Sequence, residues 1–147
     1  MVNFMRIMGV CHPIPKNIAE KIYSGKRGLV INSFMKKTKK GQKFLLYESH
    51  GAKAYTGWGH IELVENNHPS QIWSKYKEEL VLDKKNFFDY VSKKSNVTFI
   101  KLKDFQLFNK KIIPNNFVSM RGRYLYEDEY NWINKKIILD DRNISND

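Results

Sequence analysis

Two apolar runs separated by a short polar loop constrain this chain more than any other feature. Gly41-Gln42-Lys43-Phe44-Leu45-Leu46-Tyr47-Glu48-Ser49-His50 is followed, after Gly51-Ala52-Lys53, by Thr56-Gly57-Trp58-Gly59-His60-Ile61-Glu62-Leu63-Val64. Strand alternation puts Phe44 and Leu46 on one face and Leu45 and Tyr47 on the other, so this strand needs cover on both sides. Gly57 and Gly59 flank Trp58, where a backbone without side chains admits a bulge or a close approach. The two runs read as consecutive strands of a small barrel. The basic turn between them, beside an aromatic cluster, suits a nucleobase or a phosphate.

The chain has 147 residues, enough for one domain with a real core and no need of disulfides or metal. A single domain is expected over residues 1–139, with residues 140–147 as a disordered tail. One cysteine, Cys11, cannot form an internal disulfide. With no apolar run long enough to span a bilayer, a cytoplasmic protein without membrane contact is expected. Charge is uneven along the chain. Residues 1–60 hold 11 Lys/Arg against Glu20 and Glu48, whereas residues 61–147 hold 15 against 13 acids. A concentrated positive field favours nucleic acid, because phosphate binding releases condensed counterions.

Arg6 to Cys11 reads as a strand stopped by Pro13 and Pro15. Ile14, Ile18 and Ile22 recur at helical spacing, and Gly25 supplies a left-handed end, which predicts a helix over residues 15–24. A strand follows over residues 27–34, then the lysine-rich loop 36–40. Ser70 is a candidate cap for a helix carrying a core Trp73 and Tyr76, and Asp83 for a helix over residues 84–93. A long strand over residues 97–108, kinked near Asp104, ends in an Asn109-Lys110-Lys111 turn. Residues 117–126 form the last strand, and Glu127-Asp128-Glu129 opens a short helix over 127–134, where negative charge is favoured. This order does not alternate as a parallel α/β sheet should. It predicts an α+β fold, a mostly antiparallel β pseudobarrel with peripheral helices.

Aromatic faces stack bases without regard to sequence, so Tyr47, Tyr55 and Trp58 are candidates, weighed against core packing; Tyr55, at the loop edge, is the one expected to be exposed. Lys26, Arg27, Arg121 and Arg123 are candidates for phosphate, the last two spaced for one strand face and a paired clamp. His12, His50, His60 and His68 show no metal-ligand spacing, and Cys11 and His12, adjacent on a strand, point to opposite faces. No phosphate loop, catalytic triad or dinucleotide fingerprint is present, so neither metal nor cofactor is expected.

Taken in order, these motifs form a pattern: Ser24-Gly25-Lys26-Arg27 after a helix, a strand, the run from Gly41 to Ser49, then Gly57-Trp58-Gly59-His60-Ile61 leading to a helix with Pro69, Ser70 and Trp73. Over residues 5–126 the chain resembles the PUA-like superfamily, within it the ASCH and EVE branches and an uncharacterised archaeal family of the same group. The resemblance implies a pseudobarrel of five or six strands and a cleft beside the first helix that in relatives binds RNA or a modified nucleobase. It places Lys26 and Arg27 facing that cleft, Tyr47, Ser49 and His50 along its edge and Trp58 across from them. Some ASCH-like relatives are amidohydrolases on acetylated cytidine, using a lysine, a threonine and a glutamate. Here Gly28, Leu29 and Val30 stand where those relatives carry the threonine, and the EVE tryptophan and asparagine motif has no match in the N-terminal half. The reading adopted is an RNA- or modified-nucleotide-binding module, monomeric or weakly homodimeric, with no catalytic residue assigned. The alternatives are a small amidohydrolase using Lys26 with Glu48 or Glu62, and a protein-interaction domain.

Overall fold

A computed structural model describes residues 5–31, 36–115, 117–119 and 121–145. Its elements are β1 (Ile7–Ile14), α1 (Lys16–Tyr23), β2 (Gly28–Ile31), β3 (Lys43–Glu48), β4 (Ala54–Asn67), α2 (Pro69–Tyr76), α3 (Lys84–Tyr90), β5 (Val97–Ile112), β6 (Arg123–Tyr126) and α4 (Glu127–Ser145). One six-stranded sheet, in the order β2-β5-β4-β3-β1-β6, takes up all the strands. Only β1 and β3 pair in parallel. This is the expected α+β architecture with peripheral helices, and β2 and β6 remain its two edges.

The alternation read from β3 is the one observed. Phe44 and Leu46 join Val10, Ile61, Ile100 and Leu102 in a core plugged by Ala19 and Ile22 of α1. Leu45 joins Cys11, Tyr55 and Trp58 on the opposite face, under Ile133 and Ile137 of α4. A third cluster sets Val30 and Phe99 against Ile72 of α2 and Phe87 of α3. Both faces of the sheet are therefore apolar and covered, and each fully buried large side chain contributes roughly 1.5–3 kcal/mol.

The β4 glycines do what their position implies. A Cβ at Gly57 would lie 2.6 Å from both the Gln106 carbonyl oxygen and Phe105 Cζ; one at Gly59 would lie 3.2 Å from the Lys103 carbonyl oxygen. Their bare backbone lets Phe105 lie against one face while Trp58 enters the core on the other. The β4–β5 pairing shifts register in three places, one of them beside Trp58.

Several boundaries differ from those expected. β1 continues through Pro13 to Ile14, because β6 pairs only as far as Cys11 and leaves that side of Pro13 without a partner needing its N–H. Asn109, Lys110 and Lys111 are strand rather than turn: Asp104 takes φ 51° and absorbs the kink, after which β5 continues until Ile112 pairs with Tyr55. α2 begins at Pro69, with His68 rather than Ser70 as its cap; the His68 side chain accepts from the Ser70 N–H at 3.2 Å. α3 is capped by Asp83 as expected but ends at Tyr90. β6 is shorter than the strand read over 117–126. α4 runs to Ser145, so the expected tail is helical over residues 140–145, carried by the buried Ile133 and Ile137. Positions 32–34 of the expected β2, Met120 of the last strand and residues 146–147 of the tail lie outside the described residues.

Gly57→Ala is expected to destabilise the protein by about 1–3 kcal/mol, since the new methyl meets backbone that cannot rotate away. Gly59→Ala should lose less. Thermal denaturation of the two variants checks the order, and equal melting temperatures would sink the close-approach account.

Candidate nucleic-acid interface

Helix α1 ends at Gly25, whose φ of +118° turns the chain back toward β2. The turn brings Lys26 against the segment joining α2 to α3, where its Nζ donates to the Glu78 carbonyl at 2.7 Å. Next along the chain, the Gly28 N–H donates to the Glu79 carbonyl at 2.8 Å, and the Val81 N–H to the Gly28 carbonyl at 3.0 Å. A side chain at position 28 would collide with Phe99 at 2.8 Å. These contacts fix the walls of a cleft of about 500 Å³ between α1 and the α2–α3 segment. Lys21, Lys26, Lys77 and Lys84 line it, opposed by Asp83, with Trp73 as an aromatic wall and Leu80, Val81 and Leu82 as apolar lining. Trp73 is half-buried and braced by Phe87 and Phe88, with centroids 5.5 and 5.9 Å away. It was read as a core residue, and Lys21, Lys77 and Lys84 were not singled out; Lys21 at the fourth position before Gly25 was the available signal.

The other candidates do not converge on this cleft. Arg27 closes α1, its Nη1 donating to the Ile22 carbonyl at 2.7 Å, with the guanidinium 5.8 Å from the Phe105 ring centre. Ser49 and His50 lie at the opposite end of α1: Ser49 N–H donates to the Ile14 carbonyl, and the Ser49 hydroxyl is 3.2 Å from His50 Nδ1. Eight helical residues, about 12 Å, separate the two ends. Tyr47 is half-buried against the α4-side core. Arg121 is exposed in a turn beside Gly122.

Tyr55 and Trp58 are core residues. Tyr55, expected at an exposed loop edge, is completely buried, because β4 starts at Ala54, two residues before the expected Thr56, and carries its ring under α4. Trp58 is 2% exposed, stacked on Tyr130 at 5.4 Å, and its indole N–H donates to Gln106 at 3.3 Å. Arg123 is not paired with Arg121 in a clamp. Its two terminal nitrogens donate to Glu129 at 2.5 and 2.7 Å, and one also donates to the Tyr55 hydroxyl at 2.6 Å; that hydroxyl donates to Glu129 at 2.8 Å. Such a fork-to-carboxylate pair engages both terminal nitrogens of the guanidinium, while Arg123 Nε is buried without a hydrogen-bond partner among the described residues.

A second polar cluster closes the end of β3. Glu48, buried, accepts from the Tyr23 hydroxyl at 2.8 Å and the Ala52 N–H at 3.0 Å, and Tyr23 also contacts Thr56 at 2.6 Å. Burial, with the Glu48 charge adding to it, pushes the Tyr23 phenol up to about 12. Glu62 pairs with Lys101. The contacts of Lys26, Glu48 and Glu62 thus lie with three different sets of partners. Burial raises the Cys11 thiol to about 12, so it remains protonated, and burial lowers His12. Among the described residues no group of three or more His, Cys, Asp or Glu gathers to hold a metal. Nor is any helix there long and apolar enough to cross a membrane.

A family model described as "Domain of unknown function (DUF365)" matches residues 7–127. An uncharacterised protein of Methanocaldococcus jannaschii is 32% identical over 107 residues, which is 65% of this chain and 99% of that protein. The crystal structure of ASCH from Zymomonas mobilis matches with a TM-score of 0.78 at 18% identity, over 87% of this chain and 94% of that one. A point-mutant form of the same protein matches at 0.80 and 17%, over 90% and 98%. At that identity the likeness is one of fold, and it is the ASCH-type, PUA-like fold that the motif order implied.

The Arg123–Glu129 pair ties stability to pH. Burial pushes the Glu129 carboxyl up, but hydrogen bonds from Arg123 and Tyr55 outweigh it and hold the group below its ordinary value. A depressed carboxylate contributes stability that is present above its unfolded pKa, about 4.3, and lost as pH falls through the folded one. Glu129→Gln is therefore expected to flatten the fall in stability in acid. At neutral pH Glu129→Ala should cost roughly 3 kcal/mol by stranding Arg123. Denaturant melts at several pH values test both, and an unchanged acid limb in Glu129→Gln would refute the linkage.

Proposed function

We propose that this chain, which belongs to the DUF365 domain family, is an RNA-binding module that takes a single-stranded or modified nucleotide in the cleft beside Lys26. The observation that carries the reading is the cleft itself: four lysines against one aspartate around a braced tryptophan, in about 500 Å³. Ligand pockets fall in this size range, and their few polar groups fix orientation. The ammonium of Lys26 uses one of its three donors on the Glu78 carbonyl and keeps two for a phosphate. Lys21, Lys77 and Lys84 add charge on either side. Trp73 offers a face whose stacking is worth roughly 1–3 kcal/mol per base and is indifferent to sequence.

The ASCH-type fold agrees with this reading, because the PUA-like resemblance places the ligand cleft beside the first helix. Of the residues first chosen, Lys26 alone lines the cleft; Arg27 supports it by closing α1. Arg27 and the Ser49–His50 end of α1 then serve the path of a longer strand, with Arg121 available to a phosphate from an exposed turn. Tyr47, Tyr55, Trp58 and Arg123 hold the scaffold.

A Lys26→Glu, Lys77→Glu double variant should lose most of its affinity for single-stranded RNA at low salt. The salt dependence of binding should flatten by about 0.7 in log–log slope for each phosphate contact removed. Trp73→Ala should weaken binding by about 1–3 kcal/mol, with Trp73→Phe recovering much of it. Fluorescence anisotropy across a salt series measures all three. Absence of affinity in the unsubstituted protein at low salt, or indifference to the double charge reversal, would remove the proposal.

A further inference from the structure

A second basic groove lies between the end of β5 and helix α4. Trp132, Lys136 and Asp140 stand at four-residue intervals on α4 and so share one helix face. That face looks onto Lys110 and Lys111, the exposed last turn of strand that the sequence disguised as a loop. Together they enclose about 400 Å³. No ion pair formed among the described residues engages Lys110, Lys111, Lys136 or Asp140. Three lysines therefore line a groove with one unpaired carboxylate, a positive excess that an incoming anion offsets. Lys136 Nζ sits 5.7 Å from the centre of the Trp132 ring. Trp132 itself is half-buried, packed on the core along one part and open to the groove along another.

Beyond Trp132 and Asn115 the groove continues into a recess of about 350 Å³ walled by Arg123, Asp128 and Glu129. Arg123 and Glu129 are engaged with each other, which leaves Asn115, Asp128 and the exposed Tyr126 as the polar groups lining it. One end of the path is thus basic and the other offers amide and carboxylate acceptors, with a tryptophan between them. We infer that this α4 groove is a second nucleotide-binding site. A base stacks on Trp132, its N–H donors turn toward Asn115 and Asp128, and the flanking phosphates lie on Lys110, Lys111 and Lys136. The site shares no lining residue with the Lys26 cleft, so the two can be altered one at a time. The inference takes its class of ligand from the proposed function but not its location. A second copy of this chain fits less well despite the exposed Ile113, Ile138 and Leu139 nearby, because a patch lined by three lysines and one carboxylate is not complementary in charge to itself.

The three tryptophans make the two sites separately observable. Protein labelled with 5-fluorotryptophan gives one fluorine resonance each for Trp58, Trp73 and Trp132, assigned with Trp→Phe variants. Titration with a uridine oligonucleotide should move Trp132 saturably while the buried Trp58 stays still. A Lys110→Glu, Lys111→Glu, Lys136→Glu variant should weaken the Trp132 response by about tenfold or more and leave that of Trp73 in place. Movement of Trp132 without Trp73 supports this site and overturns the Lys26 cleft. Movement of Trp73 alone overturns this site and leaves the cleft standing, and movement of neither removes both. A Trp132 shift that follows protein concentration without RNA overturns the inference in favour of self-association.

Discussion

The architecture depends on one sheet that is apolar on both faces. Phe44 and Leu46 cannot be separated from Leu45 by more than the thickness of the backbone, so cover is required on both sides of the same strand. The inner face curls around itself and is stopped by α1. The outer face is covered in two pieces, α4 over β1, β3 and β4, and α2 with α3 over β2 and the start of β5. Helices are narrower than the sheet they cover, and the uncovered margins become the clefts. The Lys26 cleft is the seam between α1 and the α2–α3 cover; the α4 groove is the seam between α4 and the end of β5. Both clefts follow from incomplete covering by rigid elements, which is also why their walls are held in place.

Much of the sheet was legible because alternation is a local property. Phe44, Leu45 and Leu46 declare their faces from sequence, and Gly57 and Gly59 declare a close approach; both readings describe the observed β3–β4 pair. What failed to read locally depended on partners far away in sequence. Pro13 is a strand residue only because β6 stops at Cys11. Asn109-Lys110-Lys111 has turn chemistry, yet β4 extends far enough to keep it in strand. Helix α4 was underestimated because its polar face dominates the composition, whereas Tyr130, Ile133 and Ile137, spaced three and four apart, carry the buried stripe.

The candidate site was less legible than the fold for a related reason. Aromatic and arginine side chains serve cores and sites equally well, and the sequence does not state which groups will find partners. Tyr55 and Arg123 looked like ligand-facing groups, but 68 residues apart in sequence they are joined through Glu129 into one buried network. Trp73 looked like core and became a wall of the cleft, because the α2–α3 connection turns back on β2 through Gly28 and leaves one side of the ring uncovered. Lys26 was found because it follows a helix-ending glycine, a signal that fixes where a side chain emerges and not merely what it is.

The charge distribution shows how partner choice, rather than composition, makes a surface basic. By sequence the first 60 residues carry nearly all the net charge and the remainder is almost balanced. In space the Lys26 cleft draws Lys21 and Lys26 from the first part and Lys77 and Lys84 from the second. Five of the thirteen acids of the second part are taken up in ion pairs elsewhere. Glu65 holds Lys75 and Tyr76, Glu62 and Glu79 flank Lys101, Glu127 lies by Arg6, and Glu129 holds Arg123. Asp140 is the one carboxylate among the described residues that lines the groove beside Lys110, Lys111 and Lys136, so a nearly neutral half of the chain still presents a positive groove. Solvent-exposed charges at that spacing interact within a Debye length and are not cancelled by acids paired on another face. The two basic surfaces thus both arise at seams of the covered sheet, each drawing its lysines from elements that the fold, and not the order of the chain, brings together.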